Sequence, residues 1–328
     1  MKNLVLNILK SKSLKDEQKA VECLFNYYNT LSNQLLLRDF FLNNATEVNG
    51  GMALSPQHAI DCINDYVRTA RFIKGIYRAI LDLKNKKQAI TILYAGSGPY
   101  GTLLVPLLPL FNSDDIQVTF LDIHESSIAS VKTIINFLSY DKCVKEYLVC
   151  DASNFQAQIK DCFQLIISET MDVALTKEPQ VVITKSLQPL LCTHGILIPE
   201  EITLTTRHSF FSKEPKFKEK EGVCKGVLNT IEKSTLLFSI TKDTIFENNN
   251  AFCFDSETIE KGTIDANTPD ICINTNIKIY SGIKLNAGES LITNPYCVSS
   301  LYSVKERSYK LRYTTENIPN WTLIQEDS

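Results

Sequence analysis

Hydrophobic positions follow different periods in three successive parts of the chain. In the first part, residues 17–37 carry apolar side chains at helical spacing, namely Val21, Leu24, Phe25, Tyr28, Leu31 and Leu35. Ser55-Pro56 is typical of a helix start and predicts a second helix that runs to about Leu83. Two segments, Asn43-Asn44 and Asn49-Gly50-Gly51, interrupt the pattern between them and favour a flexible connection. We therefore expect residues 1–84 to form an N-terminal helical lid.

From residue 88 onward, short apolar strands alternate with helices. Strands are predicted at residues 89–94, 116–122, 146–151 and 163–168, and helices from residue 101, at 126–138 and at 178–191. A further strand is predicted to begin at Gly195 to Pro199. Because this alternation is typical of a doubly wound parallel sheet, residues 85–200 are expected to form a Rossmann-like α/β domain.

Beyond residue 200 the chain shows no long helical period. The segments 201–211, 270–285 and 308–315 are rich in threonine, isoleucine and aromatic residues, as strands are. Residues 201–328 are therefore predicted to form a third, β-rich domain, with a role in substrate binding or dimerisation.

Composition and charge exclude several classes of protein. The 328 residues are 44% hydrophobic and 22% charged, which is typical of globular proteins. The formal net charge is −3, so there is no overall positive field that would attract nucleic acid or an anionic membrane. Ten cysteines are spread singly without a CxxC motif, which argues against a metal site and indicates thiols in a reducing compartment. Neither a signal peptide nor a membrane span is recognisable, and we expect a cytoplasmic protein.

A cluster of glycines follows the first predicted strand of the sheet. The chain has 12 glycines, yet Gly96, Gly98 and Gly101 fall within six positions in the segment YAGSGPYG. Glycine allows the backbone to approach a nucleotide closely, and nucleotides bind at the carboxyl ends of parallel strands. The pattern begins both dinucleotide sites and S-adenosylmethionine (SAM) sites, and an ordinary tight turn is the structural alternative.

Acidic residues end the next two strands. Asp122 stands 26 residues after Gly96, where a carboxylate could accept both hydroxyls of a ribose. Asp151-Ala152-Ser153 follows the third strand and offers a polar contact to an adenine edge beside a small residue. Capping of the following helix is the alternative role at both places.

Two glutamates follow the fourth strand. Glu169 ends that strand, and Glu178 lies nine residues further on at the start of a predicted helix. A loop that folds back between them would bring both carboxylates into one cleft. Because like charges repel there, the arrangement calls for a cation such as a guanidinium or a sulfonium. An interaction of Glu178 with the helix dipole would explain that residue alone.

These residues resemble the protein arginine methyltransferases over about residues 58–205. Ser168-Glu169, Met171, Leu175 and Glu178 are similar to that family's double-glutamate loop, and Asp65 to Thr69 to the segment whose arginine, here Arg68, binds the SAM carboxylate. The resemblance implies a Rossmann-like methyltransferase sheet followed by a partial β-barrel, with SAM as methyl donor and S-adenosylhomocysteine as product. It implies catalytic roles for Glu169 and Glu178, a possible homodimer, and cofactor contacts from Arg68, Gly96, Ser97, Gly98, Gly101, Asp122, Asp151, Ala152, Ser153 and Met171.

The sequence also departs from that family's pattern. Thr170 and Asp172 replace a bulky residue and a glycine, and the aromatic motif is not recognisable before Asp65. Trp321 follows an asparagine where the family has histidine, and we expect it to be a core or surface aromatic. The methyl acceptor therefore stays open between a protein or peptide arginine and a small molecule, including an O-methyl acceptor. An NAD(P)-dependent oxidoreductase and a non-enzymatic binding subunit are the alternatives outside methyl transfer.

Overall fold

The N-terminal region forms four helices and a short hairpin. The computed structural model describes residues 1–37, 44–84, 88–155, 163–226, 234–247 and 251–325. In chain order the elements are α1 (Lys2–Lys10), α2 (Leu14–Gln34), β1 (Thr46–Val48), β2 (Gly51–Ala53), α3 (Pro56–Asp61) and α4 (Tyr66–Leu83). The hairpin of β1 and β2 occupies the predicted flexible connection, and Asn43 lies outside the described residues.

The second predicted helix is interrupted. Ser55 caps α3 with Pro56 at its first position, as the sequence predicts. The chain then makes a 3-10 turn at Cys62–Asn64 before α4 begins. The Asp65 carboxylate caps α4 by accepting a hydrogen bond from the backbone N–H of Arg68 at 3.1 Å. The expectation of one continuous helix was wrong because a capping side chain restarts the helix at this point.

Five parallel strands form the central sheet. They are β3 (Ile90–Ala95), β4 (Ile116–Asp122), β5 (Val144–Val149), β6 (Phe163–Ser168) and β7 (Leu191–Ile198), in the order β5-β4-β3-β6-β7. The chain passes from β3 to β4 on one side and returns to β6 on the other. This reversal places a crevice at the carboxyl ends of β3 and β6, where ligands bind in open α/β sheets.

The helices beside the sheet are shorter than predicted. α5 (Glu125–Phe137) agrees with the prediction to within a residue at each end, whereas α6 (Gln180–Leu187) gives way to a 3-10 turn at Gln188–Leu190. No α-helix follows Gly101. The chain there forms turns and a 3-10 helix at Val105–Leu110, because Pro106 and Pro109 remove backbone donors.

The C-terminal region contains two antiparallel sheets and a hairpin. Its strands are β8 (Glu201–Ser209), β9 (Lys216–Lys218), β10 (Gly222–Cys224), β11 (Thr235–Thr241), β12 (Cys253–Asp255), β13 (Ile259–Glu260), β14 (Asp270–Tyr280), β15 (Ile283–Leu285), β16 (Tyr296–Ser300), β17 (Ser308–Thr314) and β18 (Asn320–Ile324). One sheet has the order β11-β8-β14-β15 with β16 paired to β14. The other has β17 between β12 and β13, and β18 also pairs with β17.

One hydrophobic core joins all three predicted regions. It runs from Val5 in α1 through the α4 side of the sheet to Trp321 in β18. A smaller cluster covers the opposite face of the sheet and contains Leu93, Leu121 and Ile166. The N-terminal helices and the C-terminal strands therefore pack against the same side of the nucleotide-type sheet.

The structure describes the state of the cysteines, the length of the helices and the grouping of possible metal ligands. Eight of the described cysteines are free thiols, but Cys192 is disulfide-bonded, so the expectation of thiols was wrong at that position. Within the described ranges, no helix is long and apolar enough to cross a membrane. The same part of the chain holds no group of three or more His, Cys, Asp or Glu side chains that could bind a metal ion.

A buried carboxylate links α4 to the C-terminal region. Asp65 is 1% exposed, and its side chain accepts hydrogen bonds from Ser290 Oγ and from the backbone N–H of Leu291, both at 2.6 Å. Burial raises the pKa of Asp65 despite these donors. The link fixes the start of α4 against the segment that follows β15.

We predict that Asp65→Ala lowers the free energy of unfolding by about 3 kcal/mol, because it removes a helix cap and leaves two donors without their acceptor. Urea unfolding followed by circular dichroism would measure this change. Asp16→Ala, which removes the exposed carboxylate that accepts from the Ser13 N–H in the capping box of α2, is the control and should cost much less. An equal cost in the two variants would contradict the proposed link.

Candidate functional site

A cavity opens at the carboxyl ends of β3, β4 and β6. Its empty volume is about 1090 Å³, including the space that is open to solvent. The hairpin, α3, α4, the loops after the three strands and residues 291–292 contribute to its wall. The cavity therefore lies in the crevice that the sheet topology predicts, and all three regions of the chain enclose it.

Ten of the twelve predicted site residues line this cavity. They are Arg68, Gly96, Ser97, Gly98, Asp122, Asp151, Ala152, Glu169, Met171 and Glu178. The structure thus brings together residues that the sequence spreads over four strand ends and one helix.

Two predicted residues lie off the wall. A Cβ on Gly101 would lie 2.6 Å from Val105 Cγ2 and 3.0 Å from Val131 Cγ2, so this glycine permits close packing behind the loop. The backbone N–H of Ser153 donates to Asp151 Oδ1 at 2.8 Å inside a 3-10 turn. Gly101 and Ser153 are therefore not among the residues of the cavity wall, and their contact with a cofactor stays a prediction.

The glycine loop and Asp122 form one hydrogen-bonded unit. Gly98 has a φ of +62°, which L residues rarely adopt, and its N–H donates to Asp122 Oδ2 at 2.8 Å. The N–H of His124 donates to Asp122 Oδ1 at 2.9 Å. Each carboxylate oxygen has a second lone pair, so Asp122 keeps the capacity to accept two further hydrogen bonds. Asp122 does not cap α5, whose N-cap is His124, and its bonds to the loop backbone are compatible with ligand binding.

The first glutamate is paired with the predicted cofactor arginine. Arg68 Nη2 forms an ion pair with Glu169 Oε2, and the Glu169 side chain is only 2% exposed. Arg68 Nη1 also donates to the carbonyl of Cys62 at 3.3 Å. Arg68 Nε is buried and has no hydrogen-bond partner among the described residues. The guanidinium therefore has unused donor capacity beside the cavity.

The second glutamate has a strongly perturbed pKa. Burial raises the pKa of Glu178 to about 8, and the negative charge of Asp172 adds to the effect. Arg68 and Lys177 act in the opposite direction but do not offset the burial. At neutral pH the Glu178 carboxyl is therefore mostly protonated, and a cation entering the cavity would favour its ionised form.

Three left-handed residues shape the loop between the glutamates. Ala174, Leu175 and Lys177 have φ values of 52°, 58° and 60°, which cost free energy for residues with a side chain. Trp321 Nε1 donates to the carbonyl of Ala174 at 2.9 Å, and Tyr313 Oη to that of Leu175 at 2.8 Å. The second C-terminal sheet therefore holds the strained backbone in place. Trp321 itself is 5% exposed, in agreement with its prediction as a core aromatic.

The N-terminal hairpin touches both sides of the cavity. On one side, Thr46 Oγ1 lies 3.2 Å from His124 Nε2. On the other, the N–H of Met52 donates to the carbonyl of Lys177 at 2.8 Å. A Cβ on Gly51 would lie 2.6 Å from the carbonyl oxygen of Lys177, so only glycine allows this approach. The hairpin connects the Asp122 side with the Glu178 side.

Sequence reasoning missed several residues of the site. His124 and Cys62 line the cavity, and Tyr313 supports the loop from β17. His124 follows the carboxyl end of β4, so its place in the sequence could have indicated a residue of the site. Cys62 and Tyr313 reach the site only through tertiary contacts, for which the local pattern gives no signal.

Comparison with known proteins finds the fold but no sequence relative. No family model matches the chain, and no curated protein sequence does. A crystal structure of PRMT6 matches with a TM-score of 0.56 and 11% identity, over 82% of this chain and 99% of that one. A Trypanosoma brucei PRMT1 enzyme-prozyme heterotetrameric complex with AdoHcy matches with a TM-score of 0.49 and 13% identity, over 78% of this chain and 86% of that one. The likeness to PRMT6 confirms the predicted fold class, a parallel Rossmann-like sheet with a β-rich C-terminal region.

We predict that Tyr313→Phe loosens the loop without unfolding the protein, because it removes a buried donor worth roughly 1 kcal/mol. Amide hydrogens of residues 170–178 should exchange about fivefold faster, as measured by hydrogen exchange with mass spectrometry. Tyr309→Phe in the same strand removes a hydroxyl bonded to His208 and serves as the control. Equal exchange rates in the loop of both variants would show that Tyr313 does not hold it.

We also predict a pH-dependent stability effect of Glu178→Gln. The folded protein binds the Glu178 proton up to about pH 8, whereas the ordinary pKa is 4.5, so this residue makes stability fall as pH rises between these values. Glutamine removes that dependence, so the variant should be more stable than the wild type at pH 9 and similar to it at pH 4. Thermal unfolding across this range tests the sign, with the exposed Glu257→Gln as control. A variant that is no more stable at pH 9 would contradict the raised pKa.

Proposed function

We propose that this protein is a SAM-dependent methyltransferase whose acceptor carries a guanidinium or another amine-type cation. The observation that carries the proposal is one cavity that is lined both by a nucleotide-type glycine loop with Asp122 and by two glutamates, Glu169 buried and Glu178 half-buried. The first set fits a nucleoside, and the second fits a cation. Binding in one cavity would bring a donor and an acceptor within reach of each other.

Three features of the chain fit the cofactor. Gly96 and Gly98, both at positive φ, line the cavity, and Asp122 retains two acceptor positions for hydroxyl groups. Among the described residues, Arg68 Nε has no hydrogen-bond partner, and a buried donor of this kind suits a carboxylate. When bound, SAM would supply a methyl group activated by the positive sulfonium. The PRMT1 structure was determined with AdoHcy, which supports the same choice.

The two glutamates would bind and orient the acceptor. A cation that enters the cavity lowers the pKa of Glu178, so the carboxyl releases its proton and pairs with the cation. Charge-assisted hydrogen bonds then fix the acceptor nitrogen for an in-line approach, for which orientation matters more than acid-base strength. Bound SAM would give up its methyl carbon from sulfur to this nitrogen, and the nitrogen would lose a proton to solvent.

The charge of the site favours a cationic acceptor over the alternatives. An anionic or hydroxyl acceptor gives Glu178 nothing to pair with, and a dinucleotide oxidoreductase has no use for two glutamates beside its ring. PRMT6 shares the fold, which supports arginine as the cation. A protein arginine and a small guanidinium compound both fit this description. A cytoplasmic location and a homodimer stay predictions from the sequence.

We predict that Asp122→Ala weakens S-adenosylhomocysteine binding by about 1.5–3 kcal/mol through loss of charge-assisted hydrogen bonds. Isothermal titration calorimetry measures the affinity directly. Asp255→Ala, which breaks an exposed ion pair with Arg312, is the control and should bind as the wild type does. Unchanged affinity in Asp122→Ala would remove this carboxylate from the cofactor site.

We predict that Glu178→Gln retains S-adenosylhomocysteine affinity but lowers methyl transfer by roughly 10², the scale of losing one preorganised electrostatic partner. In the wild type, the second-order rate constant for methyl transfer to the acceptor should rise with pH up to about 8 as Glu178 ionises. This rise should be absent in the variant. Single-turnover assays with labelled SAM and fractionated lysate provide the readout. Full activity in the variant would exclude a cation-binding role for Glu178.

A further inference from the structure

Two free thiols face each other in the C-terminal sheet that contains β14 and β16. Cys272 of β14 is the register partner of Cys297 on the antiparallel strand β16, and both are free. The Cys272 thiol also hydrogen-bonds to Cys297, so the two sulfur atoms are close. Register partners in an antiparallel pair have Cα atoms about 4.5–5.5 Å apart, and disulfides span about 4.4–6.8 Å. The backbone therefore holds this pair at a separation that a disulfide bond can bridge.

We infer that Cys272 and Cys297 are a redox-responsive thiol pair, which closes to an intrachain disulfide in the presence of a peroxide and reopens with a thiol reductant. Neither thiol belongs to the described wall of the cavity, so this modification site is separate from the proposed methyl-transfer site. A pair that is placed for bonding but still reduced is what such a response requires.

The surroundings of the two thiols assign them different roles. Cys272 is 0% exposed, whereas Cys297 is half-buried and can be reached by a small oxidant. Burial raises the pKa of both thiols, but the positive charge of Lys216 opposes this effect at Cys297, while the negative charge of Glu214 adds to it at Cys272. Because the thiolate is the reactive form, Cys297 is the thiol that the oxidant attacks, and Cys272 is the one that resolves the product.

The reaction has two steps that balance with one peroxide molecule. The Cys297 sulfur attacks one peroxide oxygen and becomes a sulfenic acid, and the other oxygen leaves as water. The Cys272 sulfur then attacks the Cys297 sulfur, the sulfur–oxygen bond breaks, and a second water leaves as the disulfide forms. The peroxide is reduced to two waters, and each thiol gives up its hydrogen.

The disulfide would fix the strand that leaves the cavity wall. Leu291 and Ile292 line the cavity, and β16 begins at Tyr296, shortly after this turn. The ladder of β14 and β16 is irregular between Ile271 and Cys272, so hydrogen bonds alone hold the strands less regularly there. A covalent link would close the loop of residues 273–296 and restrict the unfolded chain.

Peptide mapping of the full wild-type chain tests the inference. The reduced protein is treated with hydrogen peroxide, alkylated without reductant and digested with trypsin. Because trypsin cleaves after Lys278 and Lys284, the two cysteines fall on separate peptides. We expect a cross-linked species with the summed mass of both peptides less two hydrogen atoms, and dithiothreitol should remove it.

Three serine variants separate the roles of the thiols. Cys297→Ser should give no cross-link, and Cys272→Ser should leave a sulfenic acid on Cys297 that dimedone labels more strongly than in the wild type. Cys253→Ser removes an exposed thiol and should keep the wild-type cross-link. Peroxide should raise the midpoint of thermal unfolding by about 5 °C in the wild type and leave it unchanged in Cys297→Ser.

The outcomes that would overturn the inference are clear-cut. If peroxide consumes the exposed Cys253 thiol while Cys272 and Cys297 both remain open to alkylation after denaturation, the pair is not redox-responsive. A bond from Cys297 to any cysteine other than Cys272 would also overturn it. The wild-type peptide map does not depend on a variant, so it decides the matter even if Cys272→Ser fails to fold. Because no arm uses SAM, the result is independent of the proposed function.

Discussion

The strained loop between the two glutamates is the constraint on which the cavity depends. Ala174, Leu175 and Lys177 all adopt left-handed backbone conformations that cost of order 1–3 kcal/mol each in residues with a side chain. Such a loop persists only if its surroundings hold it, and here its carbonyls accept from Trp321, Tyr313 and the hairpin. The donor to Leu175 lies 138 positions further along the chain. This dependence explains why a nucleotide-type sheet alone would not form the site and why the C-terminal sheet packs directly against it.

The carboxylates around the cavity differ in whether their surroundings stabilise the charged form. Asp65 accepts from Ser290 and two backbone amides, Asp122 accepts from two backbone amides, and Glu169 pairs with Arg68. For Glu178 the surroundings instead raise the pKa, because burial outweighs the cations nearby. A buried group that is unfavourable in its charged form lowers stability at high pH, and proteins tolerate such groups where function requires them. The cation that the proposed function assigns to Glu178 would reduce this cost by stabilising the ionised carboxylate.

Local sequence patterns predicted the sheet and much of the site, but not the contacts that complete it. The strand at 163–168 has apolar residues at four of its six positions and agrees with β6, because a strand buried on both faces needs no strict alternation. The glycine motif gave no sign that Gly101 packs closely against Val105 and Val131, because these contacts depend on the tertiary fold. The Arg68–Glu169 pair joins residues about a hundred positions apart in the sequence. The local periodicity of hydrophobic residues gives no information about contacts over such a separation.

The two departures from the double-glutamate pattern have structural roles that preserve the loop. The backbone N–H and hydroxyl of Thr170 both donate to Gln180 Oε1, at 2.9 and 3.0 Å, which ties the start of the loop to α6. Asp172 accepts from the N–H of Val173 and pairs with Lys177 at 2.6 Å. These contacts stabilise the backbone path of the loop. Because Asp172 raises the pKa of Glu178 while Lys177 lowers it, this ion pair adjusts the charge of Glu178, and both glutamates are kept.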